Sequence, residues 1–508
     1  MKKFFSNAAL GLVFTLLTAV HPSPAQDLAA FEKAVTEFTL ENGLHFIVLE
    51  RHDAPVVSFH TYVDVGSVDD PKGRTGMAHM FEHMAFKGTE KIGTKDYAKE
   101  RPALQRVEQA YAALEAEKRK GHRANQGIVD KLEEEFDQAV EAASTLADSE
   151  EFTRLIEENG GNGLNASTSW DATRYFYSLP SNRAELWFYL ESERFLQPVY
   201  RDFYKERNVV HEERRMRTDS SPLGKLIEAF VAAAYQAHPY GWPTVGWSSD
   251  IQSLGVSDAE EFFKTYYVPS NMVIAVVGDI EAGRARELAE AYFGRLPKRP
   301  LPPTVNTVEP PQEGERRIEI ISPSQPVVII GYKKPAKDHP DRAVFDVISS
   351  VLSEGRTSWF YKELVRDRQI ALDAGGFPDY PGNKYPSLFL FYAFPTAGHT
   401  VEENEKAMYE LIERLKTEPP DAETLQMVKT KARASLISSL DNNSALADKL
   451  TEFQVGYGDW RQMFRSLEEM EKVSAEDVTR VAQEYFRPEA RTEAHLVAPA
   501  AAKKEGAK

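Results

Sequence analysis

The chain has 508 residues, 42% of them hydrophobic, no cysteine and a formal charge of −17. That is enough material for two or more cores, and the acidic balance argues against nucleic acid or anionic membrane as the main partner. Without cysteine there can be no disulfide, thiolate nucleophile or cysteine-held zinc, so any metal must be bound by histidine and carboxylate.

Residues 1–25 read as a secretory signal. Lys2 and Lys3 precede an apolar run from about Ala8 to Val20, and the small residues of Ser23-Pro24-Ala25 invite cleavage ahead of Gln26. The run is too short for a comfortable membrane span; an uncleaved anchor is the alternative. Cleavage removes two lysines, leaving −17 − 2 = −19, and places the mature protein in a periplasm or outside the cell, with no membrane span.

Next come two β-branched, alternating segments, 43–49 and 55–63, which predict strands. The same strand, break, strand pattern returns at 317–321 and 326–332. The halves also end alike. A helical stretch opening at Val256-Ser257 runs into Tyr266-Tyr267-Val268-Pro269 and a strand from Met272 to Val277. Another, opening at Val473-Ser474, runs into Tyr485-Phe486-Arg487-Pro488 and a strand-like Glu493 to Val497. The economical reading is two related domains of mixed sheet and helix, α/β (α+β) in class, over 36–295 and 316–499. The proline-rich stretch 296–315 joins them as a stiff, exposed linker, and a flexible tail is expected over 500–508. One segment breaks the symmetry. Over about 99–145, Leu104, Val107, Tyr111 and Leu114, then Ile128, Leu132, Phe136 and Val140, recur at helical spacing on either side of Gly121 to Gly127. This predicts an inserted helical hairpin, with Pro102 suited to a first helical turn.

The strongest chemical signal is His79-Met80-Phe81-Glu82-His83, in a run from Gly76 to Phe86 that reads as helix. Residues i and i+4 share a face, so His79 and His83 can present two imidazoles to one ion. Glu82, beside them, can hold a water and take its proton. A third ligand must come from elsewhere. In the helix-like segment 206–217, Glu206 and Glu213 lie seven apart on one stripe, and Glu212 lies off it, which favours Glu213. A solvated charged helix with Glu–Arg pairs is the competing reading.

The inverted His-x-x-Glu-His followed by Lys87-Gly88-Thr89 resembles the pitrilysin, insulysin and mitochondrial processing peptidase family, the inverzincins. The similarity continues through Gly161, Asn165 to Ser169, Asp171, Thr173, Tyr175, Glu206 to Val210, Glu213, His238-Pro239-Tyr240, Gly246 and Gly355 to Ser358. It implies two homologous domains facing each other as a clamshell, with one Zn2+ in the first. His79, His83 and Glu213 would be the ligands, Glu82 the general base and Glu206 a support behind a ligand. Asn165 and Ala166 match the edge strand on which a peptide pairs through its backbone.

Two departures from the family pattern stand out. His83 and Glu213 are 213 − 83 = 130 positions apart, longer than is usual, and the inserted hairpin accounts for most of the excess. The Arg and Tyr of the second domain that grip substrate and oxyanion in active relatives fall at Val365 and Leu372, neither of which can donate a hydrogen bond. The resemblance therefore implies a zinc endopeptidase subunit whose homologous partner supplies that pair, unless Tyr380 or Tyr385 substitutes. The rival reading is a catalytically silent scaffold subunit, and a different metal-assisted hydrolase is a third.

Overall fold

Near-continuous apolar runs in strands such as Phe46 to Leu49 and Ile274 to Val277 are what let a sheet be covered on both faces. A computed structural model of the chain describes residues 28–499; the expected signal, 1–25, and the tail, 500–508, lie outside the described residues. The first half builds a six-stranded sheet from β1 (Val35–Thr39), β2 (His45–Glu50), β3 (Val56–Val63), β4 (Asn162–Thr168), β5 (Thr173–Pro180) and β6 (Met272–Gly278), in the order β1-β2-β6-β3-β5-β4. The second half builds a five-stranded sheet from β7 (Arg316–Ile321), β8 (Val327–Lys334), β9 (Ala371–Tyr380), β10 (Ser387–Pro395) and β11 (Arg491–Val497), in the order β7-β11-β8-β10-β9.

Removing β1 superposes one order on the other, strand for strand. The pairings agree as well: β2 with β6 and β7 with β11 are parallel, and the remaining neighbours are antiparallel. The repeat expected from the two sequence halves is thus a duplicated sheet, and β4 and β9 are equivalent edge strands.

The helices that matter here are α1 (Met77–Met84), α2 (Tyr97–Lys118), α3 (Gln126–Ser144), α4 (Phe203–Arg214), α5 (Pro222–Ala234), α6 (Arg342–Leu352) and α7 (Asn443–Tyr457). Helices α2 and α3 form the inserted hairpin. Asp96 caps α2, accepting from the Lys99 amide, so Pro102 falls beyond the first turn rather than in it. In β2 and β6, Phe46, Val48, Ile274 and Val276 face the core of their own half, while Ile47, Leu49, Ala275 and Val277 face Leu446, Ala447 and Leu450 of α7. The second sheet returns the exchange. Its Val327, Ile329, Leu388 and Leu390 pack on Leu226, Phe230 and Val231 of α5. Gly331 permits this contact, since a Cβ there would stand 2.6 Å from the Phe230 ring. Each half therefore covers the other's sheet with one of its own helices, which explains why these strands are apolar on both faces.

Polar clasps reinforce the seam. Buried His60 of β3 meets Thr451 (2.9 Å) and Asp448 (3.2 Å) of α7, and Asp171 accepts from Tyr240 and from the amides of Asn383 and Lys384. The 296–315 stretch has no helix or strand and is pinned: Glu309 accepts from the amides of Gln236, Ala237 and His238. Among the described residues, no helix is long and apolar enough to cross a membrane.

Candidate metal centre

Met77, Met80, Phe81 and Met84 of α1 are buried in the first core, with Phe81 stacked among Phe262, Phe263 and Tyr267. That orientation turns His79, Glu82 and His83 the other way. The helix begins after Gly76, at φ +89°, where a Cβ would stand 2.6 Å from the Val245 carbonyl. Its free amides are held from outside. Buried Asp70 accepts from Gly76 (2.7 Å) and Ala78 (2.9 Å), a carboxylate at a helix start, where the dipole favours it.

Helix α4 crosses this face. Buried Phe203, Tyr204 and Val210 seat it, and Glu206 and Glu213, seven apart, lie on one stripe beside Val210 at the edge of that buried face. Directly after Glu213, buried Arg214 donates to Glu228 of α5 (2.7 Å) and to the Gly246 carbonyl (2.7 Å). The helix then loosens into a π-helical turn, Arg215–Asp219.

The result is convergence. Glu213 Oε2 lies 3.6 Å from His79 Nε2 and 3.4 Å from His83 Nε2, and one donor atom from each of the three residues falls within 4.8 Å of the others. Two ligand atoms each about 2.0–2.1 Å from one ion at the tetrahedral angle are about 3.3–3.4 Å apart. Two nitrogens and a carboxylate at that spacing fit zinc and leave a fourth position for water or substrate. A second buried trio, Glu405, Glu493 and His495, is also close-set, but the Arg317 guanidinium already pairs with both of its carboxylates.

The surroundings tune the donors. Burial drives His79 down to about 4, against the pull of Glu213, so its imidazole is neutral near pH 7. Burial also pulls His83 down, but Glu206 and Glu213 together outweigh it and carry it to about 9. Glu206 Oε2 stands 3.4 Å from His83 Nδ1, and its other oxygen takes Lys87 Nζ at 2.8 Å. Burial opposes ionisation of Glu206, yet His83 and Lys87 hold it below the usual carboxylate range. Glu213 is lowered chiefly by His83, and Arg217 pairs with its second oxygen at 2.7 Å. Burial raises Glu82.

Glu82 opens into a cleft of about 340 Å³ shared with His83, Asn165, Ala166 and Glu206. Asn165 and Ala166 belong to β4, which among the described residues pairs only with β5 and so has a free edge on this cleft. All seven residues singled out in the sequence are thus brought to one place. Lys87, Asp70, Arg214 and Arg217 were missed. Lys87 stood in a quoted motif, but its partner is known only from the fold. Val365 packs against the second core, and Leu372 on β9 is 59% exposed. The two tyrosines considered as substitutes lie in the seam, Tyr380 against Trp170 and Phe230 and Tyr385 with its hydroxyl 3.4 Å from the Val305 amide.

A duplicated mixed sheet with an inverted His-x-x-Glu-His helix facing a carboxylate helix defines a metallopeptidase-like architecture. The comparisons agree with it. Residues 46–116 match the family model for insulinase (peptidase family M16), and residues 253–432 match that for the peptidase M16 inactive domain. The chain is 30% identical over 500 residues to the zinc protease PqqE of Helicobacter pylori, covering 96% of this chain and 98% of that one. It is 24% identical over 473 residues to a probable mitochondrial-processing peptidase subunit beta of Arabidopsis thaliana, covering 90% and 77%. Among solved structures, a protease from Helicobacter pylori superposes with a TM-score of 0.76 at 29% identity, covering 91% of this chain and 99% of that one. This chain belongs to peptidase family M16.

Proposed function

We propose that the protein is a zinc-dependent endopeptidase of peptides or unfolded segments, acting as the zinc-bearing subunit of a dimer. His79, His83 and Glu213 would hold the ion, which supplies Lewis acidity toward water and a scissile carbonyl. Glu82, one residue from a ligand and raised by burial, takes a proton from water and returns it to the leaving amine. Glu206 keeps His83 oriented by accepting at Nδ1. The free edge of β4 at Asn165 and Ala166 pairs with the substrate backbone, which gives affinity with loose sequence preference.

The observation that carries this reading is the approach of Glu213 to both imidazoles, beside Glu82 and an open edge strand. Names of relatives as zinc proteases support it. The need for a partner rests on Val365 and Leu372, which leave the equivalent of an oxyanion donor without a hydrogen bond, a loss of a few kcal/mol in comparable sites. A homologous subunit would supply an Arg and Tyr and close the chamber over the cleft. Export by residues 1–25 to a periplasm or the medium completes the proposal.

The test is Glu82→Gln with a peptide-digestion assay, with and without chelator. Zinc content should stay near one per chain while cleavage falls by about 10²–10⁴-fold. A variant that cleaves as well as the wild type ends the assignment. Full activity of the purified chain alone, unchanged by a homologous partner, ends the dimer part only.

A further inference from the structure

The inserted hairpin has no counterpart in the second half and no part in the chemistry above, yet its contacts are not those of a solvated arm. Glu100, near the start of α2, is fully buried, and Arg201, just before α4, is 1% exposed. Arg201 Nε donates to Glu100 Oε1 at 2.8 Å and one terminal nitrogen to Oε2 at 3.1 Å. The rest of the fork donates to the carbonyls of Lys87 (2.6 Å), Ile92 (3.0 Å) and Thr89 (2.7 Å). The loop wraps the guanidinium closely. Gly88 and Gly93 sit at φ +84° and +85°, and a Cβ on them would stand 3.1 and 3.0 Å from an Arg201 nitrogen.

That loop is the continuation of α1, which carries His79 and His83, and Arg201 leads directly into α4, which carries Glu206 and Glu213. The hairpin also grips α4 along its first turns. Ser144 at the end of α3, and Ser149 just beyond it, donate to Asp202, the residue ahead of α4, itself at φ +55°. The Tyr204 hydroxyl donates to Glu108 at 3.0 Å, and Arg207 donates to the Tyr111 hydroxyl at 3.0 Å.

We propose that the hairpin is part of the metal centre's scaffold: through the Glu100–Arg201 pair it sets where α4 presents Glu213 to His79 and His83. The inference rests on the zinc reading. A buried ion pair adds little stability over well-packed apolar side chains, so its contribution is geometric, through a rigid planar fork whose donors fix the loop after α1 and the start of α2 at once. Glu100 and Arg201 are positioning residues. Displacing a ligand by even about 1 Å is enough to spoil a site assembled from separate elements.

The experiment compares the wild-type chain with the double variant Glu100→Leu/Arg201→Met, which replaces the charges with apolar volume, and with Glu100→Gln. Three quantities are read: the zinc Kd by competition with a chromogenic chelator, the visible spectrum of the Co2+-substituted chain, and the thermal midpoint of the metal-free chain. The expected result is a double variant that still folds, with a lowered midpoint because the carbonyls of Lys87, Thr89 and Ile92 lose their donor, a Kd weakened by about 10–100-fold, as for partners that orient ligands, and an altered Co2+ spectrum. A folded variant with a Kd within about twofold of wild type and an unchanged Co2+ spectrum overturns the inference. If the double variant fails to fold, Glu100→Gln is read by the same criteria. A wild-type chain that takes up no zinc sinks the proposed function, and this inference with it; wild-type uptake matched by an unaffected variant sinks this inference alone.

Discussion

Replacing Glu206 by alanine separates a ligand from its support without touching the ligand set. Glu206 reaches His83 Nδ1 at 3.4 Å and Lys87 Nζ at 2.8 Å, and the lysine is only 13% exposed. The substitution leaves His83 free to rotate or change tautomer and leaves a mostly buried ammonium without its partner. Loss of such a carboxylate behind a metal-binding histidine typically weakens metal affinity about 10–100-fold, or about 1.4–2.7 kcal/mol. Glu206→Gln retains an acceptor for Nδ1 and should lose less. Chelator competition gives the zinc affinities. An independent readout is the metal-free protein, in which His83 stands near 9 in part because of Glu206. A histidine raised on folding contributes stability that is fully present below its ordinary value of 6.5 and is lost as pH rises through about 9. Metal-free wild type should therefore lose stability across that window, and the alanine variant should lose less. An alanine variant with wild-type zinc affinity and an unmoved His83 titration would refute the reasoning.

Three further outcomes are expected. Leu450→Ala, at the fully buried contact of α7 with the first sheet, should cost about 2–5 kcal/mol; because the helix belongs to the second half, calorimetry should show one coupled transition moving rather than one domain melting early. Asp346 of α6 is raised to about 6 by burial, with Arg342 opposing. A carboxyl raised on folding destabilises as pH climbs from its unfolded value through about 6, so Asp346→Asn should gain on the order of 1–3 kcal/mol at pH 8 and nothing near pH 3 in denaturant titrations. Asp70→Ala removes the carboxylate holding the first amides of α1; it should lower the thermal midpoint by an amount equivalent to about 1–3 kcal/mol and weaken zinc binding in the same competition assay.

Strand for strand the two sheets agree, yet α6, which occupies the place of α1, carries Arg-Ala-Val-Phe-Asp-Val-Ile-Ser-Ser-Val-Leu and no histidine. The second half keeps the frame and buries an apolar helix where the first half presents candidate ligands. Its contribution to the first half is α7, which closes the sheet from which β4 extends.

Local chemistry made much of this readable from sequence. An i, i+4 histidine pair must share a helix face, a seven-residue spacing must align Glu206 with Glu213, and alternation marks strands, because each is a property of backbone geometry within a few residues. So the three ligand candidates, the adjacent Glu82 and the paired halves were legible. What sequence could not supply was every relation across the chain: Arg201 and Glu100 meeting under the loop from α1, Asp70 capping a helix from outside it, α5 and α7 exchanged between sheets, and Pro102 displaced from the helix start by Asp96. Those depend on which surfaces are buried together, and burial is decided by the whole fold rather than by any segment of it.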